Sequence, residues 1–178
     1  YIVYSLRLFL GSIIMRSAGC IVNEKKKKKF DKKVSRTKER PIASGKISST
    51  LGLFYSAFLC SLAFLVLINF NYFTIFLALA SMPLAFTYPL MKRFTYWPQL
   101  FLGITFNYGL ILGWTSINTE TLFVPIVFYL GAIFWTLGYD TIYGYQDIKD
   151  DEIIGLKSTS IKFKSNPYFF LRVCYLIF

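Results

Sequence analysis

Residues 49–68 read STLGLFYSAFLCSLAFLVLI, twenty consecutive positions without a charged side chain. A helix of that length rises about 30 Å, the thickness of a bilayer's hydrocarbon core. Only Asn69, Phe70 and Asn71 separate it from a second uncharged block, YFTIFLALASMPLAFTYPLM, at 72–91. Each of the two blocks matches the ~20-residue length of a membrane helix. The ~10-residue alternating strands of a barrel do not fit these lengths. Outward from this pair, apolar spans cover 1–22, 98–117 and 121–143, and 167–178 begins a sixth. The expected fold class is all-α: a polytopic transmembrane helical bundle of about five full membrane helices plus the start of another.

Composition agrees. The 178 residues are 55% hydrophobic and 16% charged, where soluble domains carry about a quarter charged residues. Histidine is absent from the sequence, which excludes imidazole metal sites, Ser-His and Cys-His nucleophiles and imidazole acid–base catalysis. Cys20, Cys60 and Cys174 stand singly among apolar neighbours, so neither a disulfide framework nor a CxxC metal motif is expected. The chain starts at Tyr1, and its last apolar segment stops at Phe178 after about a dozen residues, short of the ~20 a crossing needs. The expectation is one membrane-embedded domain spanning 1–178, truncated at both ends.

The charges give a topology. Of 20 Lys and Arg, 11 fall in 23–46, two are Lys92 and Arg93, and four lie in 149–164. Successive helices put these three loops on one side. The stretches 69–71 and 117–120 have no Lys or Arg. The positive-inside rule then makes the charged loops cytoplasmic, as in a bacterial inner membrane, or matrix-facing in a mitochondrial inner membrane.

Eight of the nine acids lie in the same loops or at the end of the span that leads into the last of them, Glu120 being the exception. Acids contribute little to topology, so their placement needs another cause. Asp140, Asp147 and Asp151 are spaced i, i+7, i+11, within about 20° of one face of a regular helix. Gly144 shares that face and leaves room for a bulky group to approach. Carboxylates on one stripe repel unless a cation neutralises them, and hard oxygen ligands suit Mg²⁺ bridging protein to substrate phosphates. The alternative is a solvated, acid-rich helix end. Arg36 and Arg40 are i, i+4 neighbours, and Lys92 and Arg93 end the stretch TYPLMKR. Such cations suit phosphate oxygens, or serve only as positive-inside anchors. Arg16 lies inside the first span, seven residues before Asn23. An intramembrane arginine is costly and usually faces a polar cavity or a partner.

Four stretches in this order, MRSAGCIVN (15–23), RTKERPIASG (36–45), YPLMKR (88–93) and YDTIYGYQDIKDD with IGLKST (139–151 and 154–159), resemble the UbiA-type membrane prenyltransferases. They are most similar to the branch acting on 4-hydroxybenzoate in ubiquinone biosynthesis. The resemblance covers almost the whole chain. It implies a bundle of nine membrane helices, of which this chain supplies the second through the start of the seventh. It also implies Mg²⁺-dependent transfer of a polyprenyl group from its diphosphate, through an allylic cation, to the aromatic ring. Two acidic motifs on facing helix ends would hold the metal: Asn23, Glu24 and Asp31 in the first, Asp147 and Asp151 in the second. Asp140 would be the catalytic acid preceding them. Arg36, Arg40 and Lys92, with Arg93 beside them, would meet diphosphate, and Arg16 the carboxylate of the aromatic acid. The partners implied are polyprenyl diphosphate, 4-hydroxybenzoate and the bilayer; no nucleic acid is expected.

One stretch departs from the family pattern. The first acidic motif reads N-D-x-x-D-x-x-x-D, and here Glu24 stands for the first Asp and Lys27, inside CIVNEKKKKKFDKK (20–33), for the central one. A cation there opposes Mg²⁺ by roughly 4 kcal/mol at ~4 Å and an effective dielectric near 20. The alternatives are therefore a degenerate or non-catalytic membrane protein whose basic loop binds anionic lipid, and a sister prenyltransferase with another acceptor such as haem or a quinone precursor. No pair of discontinuous helices marks a transport site.

Overall fold

The structure, a computed structural model, describes residues 1–31 and 39–178; for Lys27, Lys29, Phe30, Asp31, Asp150 and Ile154 it describes the backbone only. The described residues form helices and their connections, with no strand among them. They fall into two compact units, Tyr1–Asn71 and Tyr72–Phe178, each described by itself. Among the described residues four helices are long and apolar enough to cross a membrane: Ile2–Lys26, Ser49–Leu67, Tyr72–Phe94 and Phe123–Asp147. Large apolar side chains stand exposed along them, Phe9, Phe54, Phe76 and Phe128 among others, as contact with lipid requires. This is an integral membrane protein.

The first unit is a hairpin of α1 (Ile2–Asp31) and α2 (Ser49–Leu67). Contacts between Ile21 and Gly52, Ala18 and Ser56, and Gly11 and Val66 run in opposite directions along the two helices, which are therefore antiparallel. Small residues line the seam: Gly52, Ser56 and Ala63 of α2 are buried, as is Ala18 of α1. In lipid, helices associate through close packing rather than hydrophobic exclusion, so small side chains belong at this contact. The connection re-enters the hairpin. Ile42 and Ala43 are buried, and Ile42 Cδ1 comes within 2.9 Å of where a Cβ on Gly52 would stand. Ser48 caps α2 by accepting from the Leu51 N–H at 3.1 Å. At the far end Arg7 Nη1 donates to the Asn69 carbonyl at 3.1 Å.

The second unit packs around α7 (Phe123–Gly144). α3 (Tyr72–Thr87) passes through a 3₁₀ turn, Tyr88–Leu90, into the short α4 (Met91–Phe94); Pro89 lacks the N–H that a continuing helix would need there. The span expected at 98–117 is two helices, α5 (Pro98–Phe106) and α6 (Tyr108–Thr115), parted at Asn107. The Asn107 amide donates to the carbonyls of Gly103 (2.9 Å) and Ala132 (3.1 Å) and to Thr136 Oγ1 (2.7 Å). An asparagine that bonds sideways to α7 competes with its own helix ladder. Beside the break, the Ile104 carbonyl accepts from Tyr129 Oη at 2.6 Å. α5 lies close on α7: a Cβ on Gly103 would meet the Ile133 carbonyl oxygen at 3.0 Å. α8 (Ile148–Ile154), α9 (Thr159–Lys162) and α10 (Pro167–Ile177) complete the unit. Its core is Leu137, Phe170 and Cys174 with Trp97 and Phe163 around them. The rings of Phe163 and Phe170 stack at 3.9 Å with Trp97 edge-on to both.

Candidate functional site

The second acidic stretch stands where α7 ends. Tyr145–Asp147 form one turn of 3₁₀ helix before α8 resumes at Ile148. A 3₁₀ turn advances about 120° per residue instead of 100°, so three residues rotate the next helical segment by ~60°. The stripe expected of Asp140, Asp147 and Asp151 was drawn for a regular helix, and this turn interrupts it. Among the described residues no three carboxylates converge. Asp151 is 7% exposed, and its Oδ2 accepts from Lys92 Nζ at 3.2 Å. Asp147 is exposed and Asp140 half-buried, the latter within electrostatic reach of Lys92. The structure thus brings Lys92, Asp140 and Asp151 into one neighbourhood. Arg93 is exposed beside them in α4.

Gly144 proves to have an internal neighbour. Ser160 Oγ occupies the place a Cβ on Gly144 would fill, with Gln99 Nε2 3.5 Å from it. Around it lies a polar cluster that sequence reasoning missed. Gln99 Oε1 accepts from the Thr159 N–H at 3.0 Å, Ser160 Oγ donates to the Thr141 carbonyl at 2.8 Å, and Thr141 and Thr159 share a 2.6 Å hydroxyl contact. Gln99, Thr141, Ser158, Thr159 and Ser160 are all buried. The only signal in the sequence was a glutamine in an otherwise apolar span and a Ser-Thr-Ser run following Lys157, which alone reads as a polar loop.

In the first unit, Asn23, Lys27 and Asp31 sit at i, i+4 and i+8 of α1, on one stripe of the helix. Asn23 is exposed and Glu24 half-buried. Lys28 Nζ turns to Ser49 Oγ at 3.0 Å. Arg16 is exposed two turns earlier on α1, and Arg40 is half-buried at the start of the re-entrant connection. Arg36 lies outside the described residues.

Asp147 and Asp151 are too few to hold a metal ion by themselves. They fit Mg²⁺, which commonly takes one or two protein carboxylates and completes its shell with water and substrate phosphates. Lys92 neutralises the buried Asp151, as a buried carboxylate requires. The Tyr145 hydroxyl, in the turn that ends at Asp147, is buried without a hydrogen-bond partner among the described residues, a donor that a bound group could take up.

Known proteins resemble the chain along most of its length. The profile of the UbiA prenyltransferase family matches residues 2–178. The chain is 48% identical over 167 residues to the mitochondrial 4-hydroxybenzoate polyprenyltransferase of Rattus norvegicus, covering 92% of this chain and 44% of that protein. The enzyme of the same name from Caenorhabditis elegans is 45% identical over 162 residues, covering 90% and 46%. The chain therefore spans about half the length of the curated relatives it matches. Among solved structures, the apo UbiA homolog from Aeropyrum pernix K1 superposes with a TM-score of 0.78 at 21% identity, over 99% of this chain and 68% of that one. A structure of a digeranylgeranylglyceryl phosphate synthase superposes with a TM-score of 0.77 at 18% identity, covering 98% and 61%. These two likenesses concern the fold alone. With the profile matching nearly every residue, the chain belongs to the UbiA prenyltransferase family.

Proposed function

We propose that this chain acts in the transfer of a polyprenyl group from polyprenyl diphosphate to the ring of 4-hydroxybenzoate. The observation that carries the reaction class is the pairing of Lys92 with the buried Asp151 at the foot of a membrane-crossing helix. It is a carboxylate and a cation placed where a lipid-borne diphosphate meets the aqueous edge. The choice of acceptor is supported by the names of relatives 48% and 45% identical. Their names also support a mitochondrial setting, and the positive-inside rule would then put the Lys- and Arg-rich loops on the matrix side of an inner membrane.

In this reading Asp147 and Asp151 would hold Mg²⁺, which would supply charge neutralisation for the departing diphosphate. Lys92 moves from Asp151 to phosphate oxygens, with Arg93 beside it in α4 adding positive charge, and Arg36 and Arg40 are proposed as diphosphate-binding residues from the family likeness. The C–O bond to diphosphate breaks, the allylic cation is shielded from water, and a C–C bond forms ortho to the phenol. Asp140, half-buried on α7, takes up the ring proton. Arg16 pairs with the acceptor's carboxylate. Asn23, Glu24 and Asp31 on α1 would hold metal in the first acidic motif, with residues 1–178 serving as one membrane-embedded domain.

A second reading rests on Lys27, which stands between Asn23 and Asp31 on the α1 stripe. A cation at that position weakens metal binding to the first motif and favours a degenerate, non-catalytic membrane protein. Prenyl transfer in membranes bearing the chain separates the two: product with 4-hydroxybenzoate supports the first, and none from intact, inserted chain supports the second.

A further inference from the structure

The carboxylates of the proposed site sit on a short element. α8 has seven residues, Ile148–Ile154, too few to be stable by itself. Two things hold it. Its N-terminal side continues α7 through the 3₁₀ turn. Its C-terminal side ends at Gly155, whose left-handed φ of 76° turns the chain back. The chain then runs along a fixed track. The Lys157 N–H donates to the Lys92 carbonyl at 2.7 Å, joining this strap to the residue whose ammonium holds Asp151. Next, Ser158, Thr159 and Ser160 pass through the interior at 1%, 0% and 0% exposure. Beyond them Phe163 is locked in the Trp97–Phe170 stack.

The hydrogen bonds in the strap have a definite direction. Thr141 Oγ1 gives its one proton to the Leu137 carbonyl at 2.6 Å, so in the Thr141–Thr159 contact Thr159 is the donor. Thr159 thus donates its hydroxyl to α7 while its N–H donates to Gln99 Oε1 on α5. Ser160 then donates to the Thr141 carbonyl, over Gly144. These bonds close a loop of 18 to 19 residues on Thr141, and that loop carries Asp147 and Asp151. Apolar packing would bury the strap equally well but would leave its rotation and register loose; directional bonds to buried partners fix both.

We propose that this buried strap is the device that aims Asp147 and Asp151, with Thr159 as a positioning residue for divalent-metal binding. The proposal rests on the metal–diphosphate reading of the site, and its test keeps the two separable. The full chain is reconstituted in lipid nanodiscs and titrated with Mn²⁺ in the presence of inorganic diphosphate, following free Mn²⁺ by its paramagnetic resonance. Hydrogen exchange of 147–157 is read in parallel on the metal-free protein. Thr159→Val keeps the side chain's shape and removes the donor. It is expected to weaken Mn²⁺ binding 10- to 100-fold, the range for lost supports behind metal ligands, and to lower exchange protection across 147–157. Thr159→Ser, which keeps the hydroxyl, should stay within about threefold of the parent, the marker of a positioning bond rather than of packing. Ser160→Ala is the second variant should Thr159→Val not insert, with weakening of the same sign. Parent-like Mn²⁺ affinity in a folded Thr159→Val, or in Ser160→Ala, overturns the proposal. Equal binding by the parent and Asp147→Ala overturns the metal reading itself, and the proposal with it.

Discussion

Replacing Gly103 with alanine tests how closely α5 must lie on α7. The added Cβ would meet the Ile133 carbonyl oxygen at 3.0 Å and its Cα and Cγ2 at 3.3 Å each. Ordinary contact begins near 3.4 Å, so the two backbones must part by a few tenths of an ångström. Two of the three obstructing atoms belong to a helix backbone that cannot rotate out of the way. Overpacking of this kind costs typically about 1–3 kcal/mol, against which alanine regains up to about 1 kcal/mol of helix propensity. The expected net loss is about 0–2 kcal/mol. Gly109, on α6, has nothing within 4 Å of the same position, so Gly109→Ala should be neutral or stabilise by up to about 1 kcal/mol. Reversible unfolding in mixed micelles of increasing denaturing-detergent fraction compares the pair. The two variants should fall on opposite sides of the parent or at least about 1 kcal/mol apart. Because α5 also carries Gln99 and leads into Asn107, Gly103→Ala should loosen the whole α5–α7 contact. Equal stability of the two variants would refute the close approach.

Three further outcomes are expected. A double-mutant cycle of Lys92→Met and Asp151→Asn should give a coupling of about 1–2 kcal/mol in the same assay, since the Asp151 side chain is only 10% exposed although that of Lys92 is 43%; zero coupling would mean the pair is incidental. Asn107→Leu should cost about 0.6–1.7 kcal/mol, the range for hydrogen bonds between membrane helices, and an unchanged stability would show that the break in the span has another cause. Glu24→Asp with Lys27→Asp should raise prenyl transfer if the lysine disables the first motif, by up to the ~4 kcal/mol repulsion removed; no gain would clear Lys27 of that role.

The membrane spans were legible because each is written locally, as about twenty apolar residues between charges. Their interruptions were not. Asn107 breaks its span through bonds to Ala132 and Thr136, 25 and 29 residues away, and nothing near it in sequence announces those partners. The stripe of Asp140, Asp147 and Asp151 assumed an unbroken α-helix, and the 3₁₀ turn at Tyr145–Asp147 interrupts it, which no residue nearby in sequence announces. Gly144 was legible as a small residue that something approaches, but its neighbour Ser160 comes from the chain itself. Nothing beside the Ser158–Ser160 run announces its burial, because the partners of Thr159, Gln99 and Thr141, lie 60 and 18 residues off. Lys92 and Asp151 were each picked out singly, whereas their 3.2 Å pairing needed the fold.

The most direct test of the account is prenyl transfer by isolated membranes bearing this chain, given Mg²⁺, a polyprenyl diphosphate and 4-hydroxybenzoate, alongside Asp147→Ala. The account predicts prenylated product from the parent chain and its loss, by about 10²-fold or more for a group that stabilises the departing charge, in the variant. Equal product from both, or none from intact and inserted parent chain, would contradict it.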